Sequence, residues 1–290
     1  MGRESAPPLP VLAAGRKHSV ALLTDGTVTA TGSNSAGECD VAGWRDVVSV
    51  AAGSVHAARN TGRSHTVGLL SSGRVVATGW NASGQCEVDA WRDVAFIAAG
   101  WRRTLGVRAD GSVLAAGRRD EGACDVDSWR GIAAVACGDW HSVGLRRDGT
   151  AVAVGNDRRG QCRVDGWSGL VAVSAGSTFT VGLASTGEVV SAGVPARLAD
   201  VIVQWRRVKA IAVGSHHVVA LLRDGSAVAA GDDTAGQCRV GDWMGMTAVA
   251  AGAEHTLGLR TDGTVVSVGR NDDGQCGVGA WRGVGGPIAE

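Results

Sequence analysis

Apolar residues in this chain come in short runs punctuated by Gly, Asp and Asn: VVSVAAG at 47–53, HTVGLL at 65–70, VVATG at 75–79, and so on to the C-terminus. Runs this short and this rich in Val predict strands. The second and third run of each group flank an Asp-Gly, Ser-Gly or Thr-Gly pair, which predicts a β-hairpin. No stretch sustains a 3.6-residue apolar period, so helix is nearly excluded.

The groups repeat. Trp recurs at 44, 91, 129, 167, 205, 243 and 281, and the hairpin Gly at 26, 73, 111, 149, 187, 225 and 263. One copy, Ile132 to Trp167, reads IAAVACGDWHSVGLRRDGTAVAVGNDRRGQCRVDGW. It contains an apolar run ending in small residues, a Gly-x-x-His corner, a second run, the Asp-Gly turn, a third run, a polar loop, and a short fourth segment, QCRV. Four short antiparallel strands in each of seven copies predict an all-β protein, a seven-bladed β-propeller, because radial repetition protects the edges that one open sheet would expose. The reading is of one domain over 1–290, with nine extra residues near 54–62 and an atypical loop at 193–204 that lacks the Gly-Gln-Cys signature. The first and last segments must meet to close the ring; which of them completes the shared blade is left open.

Antiparallel connectivity places the Gly-x-x-His corners and the polar loops on one face, and the hairpin turns and in-phase Trp residues on the other. The first run, richest in Ala and Gly, belongs nearest the crowded axis, so the corners ring the mouth of a central channel. The in-phase Trp residues are expected to pack between blades, and the repeat His residues to tie each corner to a neighbouring strand.

The resemblance that these segments carry is to the regulator of chromosome condensation repeat: GRKHS at 15–19, DGTV at 25–28 and GSNSAGE at 32–38 follow its pattern. It covers nearly the whole chain and implies a seven-bladed propeller. The short period is similar to that of compact bacterial members such as the propeller-type β-lactamase inhibitory protein. That likeness implies a protein-gripping role for aromatic residues in the corners.

Lys plus Arg and Asp plus Glu balance at 28 each, so no nucleic-acid partner is expected. No apolar run is long enough for a membrane span or leader, and the reading is cytoplasmic. Six of seven Cys share one repeat position and are expected to be reduced and packed. No metal-ligand spacing or cofactor motif occurs, so neither is expected.

Three Trp residues break the register: Trp80, Trp101 and Trp140, all mapped to the corner face of neighbouring copies. GWRRT at 100–104 sets Trp101 and Arg102 beside Arg103, which stands where most copies have His. Arg118, Arg119, Arg158 and Arg159 occupy polar loops of the same sector, and Asp139 precedes Trp140. Trp interleaved with Arg is the composition of interaction hot spots. These nine residues (Trp80, Trp101, Arg102, Arg118, Arg119, Asp139, Trp140, Arg158 and Arg159) are therefore the candidate site of a non-enzymatic protein-binding propeller. The alternative is a small-molecule enzyme or ligand-binding protein with its site at the channel mouth, where Asp139, His216 and Glu254 are the acid-base candidates. Homodimerisation through the Trp-rich face is a further possibility.

Overall fold

The computed structural model describes residues 7–53 and 63–286. The insertion near 54–62 lies outside the described residues. Blade 1 holds β1 (Leu12–Ala14), β2 (His18–Leu22) and β3 (Val28–Gly32); blade 2, β4 (Val47–Ala52), β5 (His65–Leu70) and β6 (Val75–Gly79); blade 3, β7 (Val94–Gly100), β8 (Arg103–Arg108) and β9 (Val113–Gly117). Blade 4 holds β10 (Ile132–Cys137), β11 (His141–Arg146) and β12 (Ala151–Gly155); blade 5, β13 (Leu170–Ala175), β14 (Thr180–Ala184) and β15 (Val189–Ala192), followed by a short helix α1 (Ala196–Ile202). Blade 6 holds β16 (Val208–Val213), β17 (His217–Leu222) and β18 (Ala227–Gly231); blade 7, β19 (Met246–Ala251), β20 (His255–Arg260) and β21 (Val265–Gly269). Each blade is a separate antiparallel sheet in chain order. The protein is an all-β seven-bladed propeller.

One expectation needs correction. Each blade has three strands, not four. The Gln-Cys-x-Val segment spends its amides locally: Cys39 N–H donates to Asn34 Oδ1, Asp40 N–H to the Gly37 carbonyl, Val41 N–H to Cys39, and Trp44 N–H to Val41. These bonds close the segment into a turn, and no strand pairs with the outer side of β3 among the described residues. The segment is held instead by its buried Val, as with Val41, Val88 and Val126. Helix is nearly absent, as expected: among the described residues it is limited to α1 in the atypical loop, where Leu198 and Ile202 are buried beside blade 5.

Burial grades outward. The first strands line a narrow axial channel of about 250 Å³ through residues 12–14, 50–52, 96–99, 135–137, 173–175, 211–213 and 249–251. Middle strands are buried on both faces because each packs between neighbouring blades, and the outer strands are half-exposed. An in-phase Trp fills each of five seams against a Gly of the next blade: a Cβ on Gly144 would stand 2.8 Å from the Trp129 ring, and one on Gly106 2.7 Å from Trp91. Where Arg follows the in-phase Trp, at 45, 92, 130, 206 and 282, it is an anchor as well, as where Arg130 Nη1 donates to the carbonyls of Asp127 and Trp129.

The repeat His residues form the second seam. Nε2 of His18, His65, His141, His217 and His255 lies 2.9 Å from Thr66, Thr104, Thr180, Thr256 and Ser19 of the following blade. Each of those hydroxyls donates its one proton to a carbonyl of the preceding polar loop, as Thr66 does to Glu38. Nε2 therefore carries the proton and donates, which leaves Nδ1 as the bare nitrogen. The corner Gly is required because the ring folds back over it: a Cβ on Gly252 would overlap Cε1 of His255. The blade 5 to blade 6 seam departs in three linked ways. Phe179 replaces His, Val218 replaces Thr, and α1 replaces the loop whose carbonyl the hydroxyl would cap; Phe179 and Val218 pack in one apolar cluster with Leu198 and Ile202. Removing the acceptor removes the use for the polar pair.

His255 bonding to Ser19 carries the seam across the chain ends. There Val284 bridges Leu23, Thr24 N–H donates to Gly283, and Gly285 N–H donates to Leu22. Val284 thus occupies in blade 1 the place that Val47, Val94 and Ile132 hold in theirs, while Leu12–Ala14 form the rest of that strand. The shared first strand is spliced from both ends of the chain.

Candidate functional site

The pairing of His18 with Gly32, His65 with Gly79 and Arg103 with Gly117 sets each polar loop beside its own corner. Three neighbouring blades thereby bring the out-of-register Trp residues together. Trp101 and Trp140, from the corners of blades 3 and 4, meet edge to face with ring centroids 4.5 Å apart. The Arg102 guanidinium lies 4.3 Å from the centroid of Trp101 and 4.8 Å from that of Trp80. Arg118 lies 5.2 Å from both Trp101 and Trp140. The result is a ladder of three indoles and two guanidiniums, half-buried throughout. Each cation over a ring contributes about 0.5–1 kcal/mol at such exposure, and the aromatic pair a similar amount.

Blade 3 reaches this arrangement by abandoning the repeat. Its corner is a two-residue turn, with Gly100 paired to Arg103 and Arg102 at φ 62°, a conformation that costs a non-Gly residue about 1–2 kcal/mol. Its polar loop has Arg119 and Ala123 where blade 2 has Asn81 and Gln85, the residues that receive the Cys86 and Ser83 amides. Without those acceptors the loop is organised by ion pairs of its own: Arg118 Nε pairs with Asp120 at 3.1 Å and Nη2 with Glu121 at 2.5 Å. Burial first, then the like charge of Arg118, lowers the Arg102 guanidinium below its ordinary pKa, while Glu121 opposes that shift. An open cleft of about 470 Å³ adjoins the ladder, lined by Ser83, Arg102, Gly117, Arg118, Arg119 and Asp120. Sequence reasoning missed Ser83, Asp120 and Glu121. The signal for them was the loss of the Asn and Gln positions from the blade 3 loop.

The other candidates are not part of the ladder itself. Arg119, Arg158 and Arg159 are exposed, with the Arg158 and Arg159 amides bonded to Asn156 and Gln161. Asp139 is buried rather than surface-exposed, its Oδ2 accepting from Ser177 Oγ at 2.7 Å. Burial pushes its carboxyl up to about 7 against the pull of Ser177, Arg103 and Arg16, and Oδ1 has no hydrogen-bond partner among the described residues. Glu254 pairs with Arg270 at 2.7 Å, and His216 is exposed. These three do not converge on one point: among the described residues no group of three or more His, Cys, Asp or Glu could hold a metal.

The regulator of chromosome condensation (RCC1) repeat profile matches residues 12–38, 60–85, 132–161, 208–237 and 246–275, and so spans five of the seven blades. The chain belongs to the RCC1 repeat family. No curated protein sequence matches it. Among solved structures, the RCC1-repeat propeller described here is similar to the ectodomain of the Physcomitrella patens receptor kinase CR4, at 19% identity and TM-score 0.70, over 89% of this chain and 73% of that one. It is also similar to the CRINKLY WD40 ectodomain of the Arabidopsis thaliana receptor kinase ACR4, at 18% identity and TM-score 0.69, over 96% and 100% of the chains. Prp20p of Saccharomyces cerevisiae, described with its binding to Gsp1p and histones, matches at 17% and TM-score 0.60 over 84% and 77%. Identities this low establish shared fold alone. No helix among the described residues is long and apolar enough to cross a membrane.

Proposed function

We propose that the protein is a non-enzymatic, single-domain binding propeller whose corner face, from blade 2 to blade 4, docks a protein partner. The observation that supports this most is the convergence of Trp80, Trp101 and Trp140 on Arg102 and Arg118 in one half-buried ladder. Trp and Arg are the residue types that dominate interface energetics, and none of these five belongs to the repeat's structural set. The ladder offers flat apolar rings, and the adjoining cleft offers guanidinium donors. The partner this suits presents apolar side chains flanked by carboxylates. Prp20p, on the same fold, is described with its protein partners, which lends support to a protein-binding role on this scaffold.

The test is affinity capture with the full chain and with the Trp101→Ala/Trp140→Ala variant, followed by titration of the captured partner in purified form. Each Trp anchor is expected to carry ~2 kcal/mol, about thirtyfold in Kd. Equal affinity of both forms for the partner rejects the assignment, and light scattering on both forms identifies the partner as a second copy if the wild type alone is dimeric.

One observation favours a second reading, a small ligand at the channel mouth: the buried Asp139 has an oxygen without a hydrogen-bond partner among the described residues. A ligand bound there stabilises the wild type against heat, loses its effect in Asp139→Asn, and is indifferent to Trp101→Ala.

A further inference from the structure

Arg103 holds the repeat position of a buried histidine, yet it makes bonds that no histidine makes. Its Nε donates to Ser142 Oγ of blade 4 at 3.0 Å, the place taken elsewhere by His Nε2 on Thr. The rest of the guanidinium reaches into the next corner: Nη1 donates to the Asp139 carbonyl at 2.9 Å, and Nη2 to the carbonyls of Gly138, at 2.6 Å, and His141. The side chain is fully buried. Ala123 stands where four other blades bury a Gln, and Ser142 Oγ donates to its carbonyl, so the position emptied of Gln adjoins the longer side chain. Because Arg103 does not fold back over Gly100 as a histidine would, corner 3 closes as a tight turn against corner 4. A Cβ on Gly100 would lie 2.6 Å from Cys137 Cβ and 2.8 Å from the Gly138 carbonyl.

We infer that Arg103 is a positioning residue for the binding face: by fastening the 138–141 corner of blade 4 through three backbone carbonyls, it sets Trp140 against Trp101 and so assembles the ladder. The carbonyls it grips flank Trp140 on both sides in sequence, and the turn it permits carries Trp101 and Arg102. The three residues of the Trp-Arg-Arg run thus divide the work, two facing outward to form the surface and one inward to register it. A planar guanidinium suits this because one charged group can satisfy four acceptors in fixed directions, which neither imidazole nor ammonium does. The consequence for affinity rests on the face being the binding surface, but the positioning itself is read without any partner.

The experiment is Arg103→His, which restores the residue that five other blades use and keeps a donor for Ser142. Two indoles held in a fixed edge-to-face pair couple their transitions and give a bisignate circular dichroism signal, calibrated by its disappearance in Trp140→Phe. The expected result is cooperative urea unfolding with loss of the Trp101–Trp140 signal. A retained signal overturns the inference. If Arg103→His does not fold, Arg103→His/Ala123→Gln rebuilds the whole repeat seam and is expected to fold without the signal. Failure of that variant to fold also overturns the inference, since Arg103 would then serve the seam rather than the ladder. Because neither readout involves a partner, a face that binds nothing would refute the docking proposal while leaving this one intact.

Discussion

Acidification attacks the blade seams. Five repeat histidines are buried and neutral: burial, helped by His65 near His18, by Arg103 near His141, and by His18 and His217 near His255, holds their pKa values at about 3 for His18, His141 and His255, and about 4 for His65 and His217. In the unfolded chain each takes up a proton near its ordinary 6.5, while the folded protein does not until pH falls to 3 or 4. Between those limits the unfolded state binds more protons, so stability falls as pH falls, by about 1.4 kcal/mol per pH unit for each His. Asp139 works in the opposite direction. Its carboxyl, raised to about 7, is protonated in the fold but ionised in the unfolded chain above 3.8, so acidification favours the fold by a similar amount. The net slope reaches about 5 kcal/mol per pH unit near pH 5, and because each His in the unfolded chain is only half protonated at pH 6.5, the loss integrated from pH 6.5 to 5 is about 6 kcal/mol, comparable with the 5–15 kcal/mol that keeps a typical domain folded. Urea midpoints followed by Trp fluorescence should therefore drop steeply below pH 6.5. A His255→Phe/Ser19→Val variant, which copies the natural Phe179 and Val218 seam, should start less stable because the Gln275 carbonyl loses its donor, but its slope should be shallower by one proton. A midpoint that stays level from pH 6.5 to 5 would refute the reasoning.

The same network yields three further expectations. Asp139→Asn keeps an acceptor for Ser177 and removes the raised carboxyl, so its melting temperature relative to wild type should be higher at pH 8 than at pH 6; a pH-independent difference contradicts the assigned ionisation. Phe179→His buries an imidazole donor against Val218 and should cost about 2–3 kcal/mol in urea titrations, and adding Val218→Thr should recover part of that, whereas strictly additive losses would mean the two positions are not coupled. Burial raises the in-phase thiols, Cys86 and Cys162 to about 11 and Cys39 and Cys238 to about 12, and each Sγ donates to a loop carbonyl. Thiol labelling at pH 8 should be slow in the native protein and complete in urea, and rapid native labelling of several Cys would contradict this packing.

The repeat was legible in the sequence because its physical requirements are local or periodic. The hairpin turn needs Gly at positive φ, the seam needs Gly beneath Trp, and the corner needs Gly beneath His, so each leaves a mark at a fixed phase, the first in all seven blades and the other two in five each. Even the clustering of Trp80, Trp101 and Trp140 followed from phase, since residues out of register on neighbouring blades share one face. The strand count did not follow, because apolar periodicity cannot tell a fourth strand from a turn that satisfies its own amides around a buried Val. The position of Asp139 was also hidden: a carboxylate in a corner reads as solvent-facing until the packing of adjacent corners encloses it.

The sequence alone determined the circular scaffold, its seven units and the face on which its exceptions gather, since those depend only on what recurs and what departs. Tertiary structure decided which exceptions touch. Arg102, Arg103 and Arg118 are chemically alike in the chain, but one is held over two indoles, one is buried against four acceptors of the next blade, and one is shared between indoles and carboxylates. Those roles are set by distances between blades, and the order of residues along the chain does not encode them locally.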